Sequence, residues 1–190
     1  MQNFTACAWF KPYDITTGVR QQIFYKGDSV VNSDGHFGIR QNRNDLIAHI
    51  GGFNSTGAYE SLRLEFTDVL VENQNYYSCI TRANQTYAFY LNFETPETGS
   101  TSYLLNLTHE NNLTMGYLDY LGGVMYFNGE IDEVKLYNRT IDYDEFLVNY
   151  YNYESVSKGC CNYITLIRPD TMGYDSLAFN EVISYSSNIF

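Results

Sequence analysis

Two acidic residues separated by one position, Glu130 and Asp132, have a spacing in this 190-residue sequence that could support catalysis. Alternate residues of a β-strand share a face, so both carboxylates would lie on the same side of a sheet. A retaining glycosidase needs two carboxyl groups about 5 Å apart, one as nucleophile and one as general acid. Glycoside hydrolysis is therefore the first reaction to consider for this strand.

Other kinds of chemistry have little support in the sequence. The three histidines are interpreted as surface or strand residues, because none lies in a metal-binding or triad-like pattern: His36, His49 and His109. No phosphate-binding loop or dinucleotide fingerprint occurs, so no cofactor is expected and no metal ligands are assigned. The net charge of −11 argues against binding to nucleic acid or to an anionic membrane.

The acidic pair lies in a segment with the pattern of a strand followed by a helical turn. The predicted inward residues of the strand are Ile131, Val134 and Leu136. One odd step in this alternation predicts a bulge in which Asp132 and Glu133 together take one position. After residue 140 the spacing becomes helical, and the predicted buried side of a short helix consists of Phe146, Leu147 and Tyr150.

Alternating apolar residues predict further strands earlier in the chain. From Phe4 to Phe10 both faces are largely apolar, which predicts an interior strand covered on both sides. The Gly51–Gly52 pair is predicted to mark a hairpin turn. Arg63 and Glu65 alternate with apolar neighbours, the pattern of a half-buried strand. Together these patterns predict an all-β fold in which two antiparallel sheets pack as a sandwich.

Three segments resemble strands of laminin-G-like, concanavalin A-like jelly rolls. Residues 127–140 read FNGEIDEVKLYNRT and are similar to the closing-strand signature FxGxIDEVRIYNRxLSxEE; residues 4–12 resemble FTISAWVKP, and residues 23–28 resemble IFSKGD. The resemblance implies a two-sheet antiparallel jelly-roll sandwich with one short helix over residues 1–150. A strand-bearing tail over residues 151–190 follows it. Such sandwiches include lectins, enzymes, adhesion modules and structural subunits, so the fold alone does not give the function.

Jelly-roll glucanases share this architecture and carry a GEIDIxE or ExDxxE strand, which is similar to residues 129–132. The third carboxylate of that pattern would fall at Val134, or at Lys135 if the strand is bulged, and neither residue is acidic. Glu133 is an odd number of positions from Glu130, so in a regular strand it would lie on the opposite face. Glu130 and Asp132 are therefore interpreted as structural acids, no catalytic residue is assigned, and the protein is expected not to be an enzyme.

The four cysteines form two groups. Pentraxins resemble a branch of the same architecture and join cysteines in two neighbouring strands, which implies a bridge between Cys7 and Cys79 here. Two buried reduced thiols are the alternative. Cys160 and Cys161 are adjacent, so they close a strained ring or each reach a separate partner. In the second case they would help to lock a joint between subunits.

Asn-x-Ser/Thr triplets occur six times, at Asn3, Asn54, Asn84, Asn106, Asn112 and Asn138. All six lie near predicted loops or strand ends, where an attached glycan could project, although an ordinary polar turn is the alternative for each one. No apolar run is long enough to span a bilayer, and no cleavable signal segment opens the chain. With the low lysine content and the cysteine pattern, the triplets predict an extracellular or cell-surface protein.

The C-terminal residues resemble a strand that family members carry at their beginning and that is missing from the front of this chain. Its predicted subunit-interface residues are Leu177, Phe179, Val182, Ile183 and Tyr185. A missing strand leaves an open slot in the sandwich. The tail is predicted to lie beside Phe4–Phe10 of a neighbouring molecule, an arrangement that builds a head-to-tail homopolymer. Alternatively, the tail folds back on its own domain and the protein is a monomer.

Two functions are consistent with these features. The first is a non-enzymatic extracellular glycoprotein that assembles into a fibre by donating its C-terminal strand. The alternative is a lectin-like or adhesion module, monomeric with the tail docked on its own domain. The 19 tyrosines and 12 phenylalanines suit a sugar-binding surface, and they equally suit a sandwich core or a subunit interface.

Overall fold

Strands make up most of the structure, a computed structural model that describes residues 3–27, 35–107, 113–120 and 123–157. Within these residues there are twelve strands and one helix. In chain order they are β1 (Asn3–Pro12), β2 (Gln21–Lys26), β3 (His36–Asn42), β4 (Asp45–Phe53), β5 (Tyr59–Phe66), β6 (Tyr76–Ala83), β7 (Thr86–Leu91), β8 (Glu97–Ser100), β9 (Leu113–Met115), β10 (Tyr117–Tyr120), β11 (Gly123–Tyr126), β12 (Gly129–Tyr137) and α1 (Tyr143–Ser157). The chain divides into two units, Met1–Tyr150 and Tyr151–Phe190, and all twelve strands belong to the first.

The strands form two five-stranded antiparallel sheets that pack face to face. The first sheet has the order β12-β1-β6-β7-β8 and the second β5-β4-β3-β2-β9, while β10 and β11 pair separately. Apolar residues of both sheets meet in one core, among them Phe4 and Ile80 from the first sheet and Ile39 and Leu64 from the second. The predicted all-β jelly-roll sandwich is therefore confirmed.

Strand β1 is buried on both faces, as its alternation predicts. The residues that it contributes to the core are Phe4, Ala6, Ala8 and Phe10. On its other face Trp9 stacks against Tyr77 and Tyr150, with ring centroids 5.1 and 5.2 Å away. Helix α1 supplies this second cover, because Tyr150 and the fully buried Phe146 both belong to it.

The beginning of helix α1 is fixed by side-chain contacts. The backbone N–H of Glu145 donates to Asp142 Oδ1 at 2.8 Å, so Asp142 caps the helix. The Glu145 carboxylate also pairs with both terminal nitrogens of Arg139, at 2.5 and 2.6 Å. These contacts set the helix where Phe146 reaches the sheet.

Strand β12 carries a bulge, as predicted, but the two residues that share one position are Glu133 and Val134, because Asp132 pairs regularly with Trp9. Between the pairs Cys7–Lys135 and Trp9–Asp132, β12 has two residues where β1 has one. Glu133 lies at this point with a left-handed φ of 47°, and its N–H donates to Asp132 Oδ1 at 2.8 Å. The odd step in the sequence pattern thus reports a real irregularity of the backbone.

Leu136 departs from the sequence expectation. It was predicted to be an inward residue, but it is 58% exposed. It pairs with the core residue Ala6 and so lies on the inner side of the first sheet. The strand at the same edge of the second sheet, β9, is only three residues long and leaves Leu136 uncovered among the described residues.

The predicted position of the tail strand beside Phe4–Phe10 is wrong, because both edges of β1 are already paired, one with β12 and the other with β6. Within the described residues, the strands that have one edge without a strand partner are those at the ends of the two sheets: β12, β8, β5 and β9. The tail itself, with Leu177, Phe179, Val182, Ile183 and Tyr185, lies outside the described residues.

The Gly51–Gly52 pair does not mark a turn. Strand β4 continues through both residues, and the β3–β4 turn lies instead at Arg43, which has a φ of 56°. A Cβ atom on Gly51 would lie 2.5 Å from Tyr59 Oη and 2.6 Å from His36 Cε1. Glycine is required here by the close approach of two rings on the outer face of the second sheet.

Candidate functional site

The acidic pair on β12 is exposed at the surface, and Glu130 makes polar contacts there. Glu130 forms a salt bridge with Lys11 Nζ at 2.8 Å and accepts a hydrogen bond from the Tyr13 hydroxyl. The hydrogen bond from Lys11, and then that from Tyr13, holds the pKa of Glu130 below its ordinary value. A general acid in glycoside hydrolysis needs a raised carboxyl pKa instead. This geometry supports a structural role for Glu130.

The outer face of the second sheet, which points away from the core, carries aromatic, histidine and arginine side chains. The strand register aligns one residue from each of four neighbouring strands: Tyr25, Gly38, His49 and Arg63. Positions two residues apart on a strand share a face, which adds further residues of β3 and β5. The cationic face is defined here as Tyr25, His36, Arg40, His49, Tyr59 and Arg63.

The rings of the cationic face are grouped around His36. The centroid of the His36 ring lies 4.8 Å from that of His49, 5.7 Å from Tyr25 and 6.3 Å from Tyr59. Gly38 leaves room for these rings, since a Cβ atom there would be 2.8 Å from Tyr25 Cδ2. His36 is only 3% exposed, whereas His49 and Tyr59 are half-buried and reach the solvent.

Positive charge is concentrated around His49. Burial is the main reason that the pKa of His49 falls to about 3. The cationic or titratable neighbours that lower it further are, in order of size, His36, Arg40, Arg20 and Arg63. Glu65 lies on the same face and pairs with Arg63 at 2.5 Å, yet the Arg63 side chain remains 48% exposed. His49 is therefore neutral at physiological pH, and three arginines are near enough to disfavour its protonation.

This arrangement is suited to binding a sugar. Flat rings provide a surface on which the apolar side of a sugar ring can stack, as in many ligand sites. Guanidinium groups donate several hydrogen bonds in a fixed geometry to hydroxyl, carboxylate or sulfate oxygens. In the part of the chain that the structure describes, no group of three or more His, Cys, Asp or Glu side chains is placed to hold a metal ion.

The sequence interpretation places these residues on strands without bringing them together. Alternation along β5 predicts that Arg63 and Glu65 face away from the core, as they do. Alternation within one strand cannot give the register between strands, and it is the register that places His49 beside Arg63. Like-facing Arg and His residues on three successive strands, with Gly38 between them, are the signal that could have indicated the site. His109 lies outside the described residues.

The six glycosylation triplets differ in their surroundings. The four whose asparagines are exposed are Asn3, Asn84, Asn106 and Asn138. Asn54 is only 7% exposed, and its Oδ1 accepts hydrogen bonds from the Thr56 N–H, the Thr56 hydroxyl and the Ala58 N–H. These bonds fix the side-chain amide of a nearly buried residue, so the geometry argues against attachment of a glycan to Asn54 Nδ2. Asn112 lies outside the described residues.

Cys7 and Cys79 lie directly opposite each other on β1 and β6. A disulfide joins them, with an S–S distance of 2.01 Å, and both residues are fully buried. It connects positions 72 residues apart in the chain and lies on the same face of the first sheet as Trp9. Cys160 and Cys161 lie outside the described residues.

A groove of about 550 Å³, named here the edge groove, runs between β9 and β12. It is lined by Leu113, Met115, Ile131, Asp132, Glu133, Val134 and Leu136. Met115 is 56% exposed and Leu136 is 58% exposed, so apolar side chains from both sheets face the solvent here. The edge groove adjoins the edge of β12 that has no strand partner in the described part of the chain.

Comparison with known proteins places the fold in a family. The model of the Concanavalin A-like lectin/glucanases superfamily matches residues 1–145. The chain belongs to this superfamily. The resemblance seen in the strand motifs is thereby confirmed. A search of curated proteins finds no match to this chain.

Several solved structures have the same architecture. The CBM40 of a Ruminococcus gnavus IT-sialidase, bound to α2,3-sialyllactose, is 18% identical with a TM-score of 0.60, over 78% of this chain and 82% of that one. A leech intramolecular trans-sialidase is 21% identical, also with a TM-score of 0.60, over 78% and 23%. The botulinum neurotoxin serotype D binding domain is 11% identical with a TM-score of 0.56, over 80% and 36%. At these identities the similarity shows the fold alone.

Among the described residues, helix α1 lacks the length and apolar character that a bilayer span needs.

Proposed function

We propose that this member of the superfamily is a non-enzymatic, extracellular carbohydrate-binding module. The observation that carries the proposal is the cationic face, where the half-buried Tyr59 ring lies on the same surface as Arg40, His49 and Arg63. Stacking surface and multiple hydrogen-bond donors are thus available together. The R. gnavus CBM40, which has the same fold, is bound to sialyllactose, and this supports a sugar ligand here as well.

The extracellular location is supported by covalent features. A buried disulfide such as Cys7–Cys79 forms and persists in oxidising compartments. Four exposed asparagines in glycosylation triplets are compatible with passage through a secretory pathway. In this proposal residues 1–150 are the binding domain and residues 151–190 form a connector and tail.

A glycan array tests the carbohydrate-binding proposal. The full chain is expected to bind selectively to a subset of printed glycans. Tyr59→Ala should weaken that binding by about tenfold, since an aromatic ring that stacks on the ligand typically contributes this much. Tyr103→Ala is the matched control, because Tyr103 is 51% exposed and lies outside the cationic face. If no glycan exceeds the background, or if both variants behave alike, the proposal is wrong.

Self-assembly is a second candidate function, and the edge groove favours it. Its mostly apolar lining lies beside one of the sheet edges that have no strand partner among the described residues, the outer edge of β12, and strand addition uses this combination. The proposed occupant is the C-terminal segment of a neighbouring molecule, with interface residues Leu177, Phe179, Val182, Ile183 and Tyr185. In this proposal the segment lies beside β12 and not beside Phe4–Phe10, where the sequence predicts it.

Reach and energetics are compatible with strand donation. Helix α1 ends at Ser157, and the 18 residues from 158 to 175 could span up to about 60 Å if extended. Burying an apolar side chain contributes about 1.5–3 kcal/mol, so several residues of the segment together could offset the cost of ordering it. Backbone hydrogen bonds to β12 would then fix the register.

Negative-stain imaging and sedimentation of the full chain test self-assembly. Filaments are expected, and deletion of residues 176–190 should abolish them. Leu136→Lys should do the same because it places a charge in the edge groove, whereas Val124→Lys, another exposed apolar residue, should not. A compact monomer at every concentration would contradict assembly and favour a tail docked on its own domain.

A further inference from the structure

We propose that the sugar bound by the cationic face is anionic, with a carboxylate or sulfate group held by Arg40 and Arg63 on either side of His49. This inference rests on the proposed carbohydrate-binding function and adds the charge of the ligand. It also assigns three residues to a site.

The charge distribution carries the inference. The whole chain has 22 acidic and 11 Lys or Arg residues, so a neutral or cationic ligand would be the expectation for an average part of its surface. Among the described residues around His49 the balance is reversed, because three arginines, Arg20, Arg40 and Arg63, act on one imidazole and the acidic residues on the same face are Glu65 and Asp45. A local reversal of this kind is an anion-binding feature when the cations are arginines with planar, multiple donors.

The geometry places these donors around one point. Arg63 is the direct cross-strand partner of His49, and Cβ atoms of such partners lie about 4.5–5.5 Å apart. On the other side of His49 its cross-strand partner is Gly38. Arg40 is two residues beyond Gly38 on β3 and so lies on the same face of the sheet. Gly38 itself adds no side chain between them. Both arginines can therefore approach a group that lies over His49.

Glu65 is the acidic neighbour of Arg63 on this face. It lies on the same strand as Arg63 and pairs with it at 2.5 Å through one terminal nitrogen. A guanidinium has five N–H donors, so one such contact leaves others for a ligand. The 48% exposure of the Arg63 side chain leaves it accessible from solvent.

His49 provides an independent readout of the ligand's charge. Among the described residues, the charged or titratable groups on its face are His36 and Arg40 from β3, Tyr59, Arg63 and Glu65 from β5, Tyr25 from β2, Arg20 before β2, and Asp45 on its own strand. A bound anion would offset the cationic neighbours and make protonation of the imidazole less unfavourable. The His49 pKa should therefore rise when an anionic sugar binds and stay unchanged when a neutral one binds.

Calorimetry with the full chain and three related sugars tests the inference. Lactose is neutral, 3′-sialyllactose carries a carboxylate, and 3′-sulfolactose carries a sulfate. At constant ionic strength, at least one of the two anionic sugars is expected to bind about tenfold or more tightly than lactose, as charge-assisted hydrogen bonds are roughly twice as strong as neutral ones. The two anionic sugars together distinguish a carboxylate site from a sulfate site.

Substitutions assign the effect to the proposed residues. Arg63→Gln should reduce the affinity for the anionic sugar to that for lactose, and Arg63→Lys should retain part of the difference. Lys135→Gln is the matched control, because Lys135 also pairs with a glutamate two residues away on its own strand but lies in the other sheet. If Arg63→Gln unfolds the protein, Arg40→Gln and NMR titration of the His49 ring give the same information.

The outcomes separate this inference from the function on which it rests. If lactose binds as tightly as both anionic sugars, the ligand charge is irrelevant and the inference is overturned, while the carbohydrate-binding proposal stands. If no sugar binds here or on the array, both are overturned. An anionic sugar that binds equally well to Arg63→Gln, without moving the His49 titration, would also overturn the assigned site.

Discussion

Asn54 and Asn84 share one glycosylation motif but have opposite surroundings. The side chain of Asn54 organises the turn after β4 by accepting three hydrogen bonds, whereas Asn84 is exposed at the β6–β7 turn with a φ of 57°. An oligosaccharide needs an accessible amide nitrogen, which only the exposed residue offers. The same motif therefore has a structural role in one place and is available for modification in the other.

Glycan occupancy should follow this difference. In protein produced by a secretory eukaryotic host, we expect glycans on Asn84 and Asn138 and an unmodified Asn54. Glycopeptide mass spectrometry measures occupancy at each site, and the exposed sites serve as internal controls for Asn54. A fully occupied Asn54 would show that modification occurs before this turn folds and would contradict the expectation.

His49 should make stability fall in acid. Its pKa is about 3 in the folded protein and about 6.5 in the unfolded chain. At pH 7 and above the imidazole is neutral in both states and adds no pH dependence. Below pH 6.5 the unfolded chain binds a proton that the folded protein does not, so the free energy of unfolding falls by up to about 1.4 kcal/mol per pH unit until about pH 3.

Urea unfolding at pH 7 and pH 5 measures this loss. His49→Gln, which cannot titrate, should show a smaller decrease between the two pH values than the natural protein. NMR titration of the His49 ring provides a direct check. If the ring titrates near pH 6.5 in the folded protein, the predicted burial and charge environment are wrong.

At the scale of elements, the two departures from the sequence pattern have one physical cause. Gly51 is a glycine inside a strand, and not in a turn, because the rings of His36 and Tyr59 occupy the space that a side chain would fill. Leu136 is exposed because β9 is too short to cover it. In both cases the outcome is decided by a neighbouring strand that is distant in sequence. Local patterns give the identity of a strand, but they cannot give what lies across from it.

The first turn of helix α1 should depend on its cap. Asp142→Ala removes the acceptor of the Glu145 N–H and should lower the free energy of unfolding by about 1 kcal/mol, a typical value for a lost N-cap. Asp144→Ala removes the same charge from the first turn without removing a cap and should cost about 0.3 kcal/mol. Chemical denaturation measures both. Equal losses would mean that charge, and not the cap, is what matters.

At the scale of the whole molecule, the disulfide should be a main source of stability. It closes a loop across 72 residues, and the chain-entropy model gives about 4 kcal/mol for a loop of this length. The double variant Cys7→Ala/Cys79→Ala should lose about this amount in urea unfolding, with a fold that is otherwise unchanged. Non-reducing peptide mapping should recover both cysteines in one linked peptide. Recovery of either as a free alkylated thiol would contradict the bridge.

The sequence predicts most of the sandwich but little of the cationic face. Alternation in β1 and the irregular step in β12 depend on local chemistry, and the strand motifs match a family. The cationic face instead depends on how four strands align, since Arg63 meets His49 only through the β4–β5 register. A shift of that register by two residues would keep every strand pattern intact and still separate the two side chains.

The pairing of β1 has a consequence for how the protein is made. β1 is synthesised well before its two partners, β6 and β12, and Thr5 pairs with Tyr137 near the end of the sandwich. Contacts between residues so distant in sequence form slowly, and a chain grows at about 5–20 residues per second. For several seconds after it leaves the ribosome, β1 has two apolar faces and at least one open edge. Nascent chains of this protein should therefore rely on chaperone binding to β1, and the Cys7–Cys79 bond can secure one side of β1 before the other partner exists.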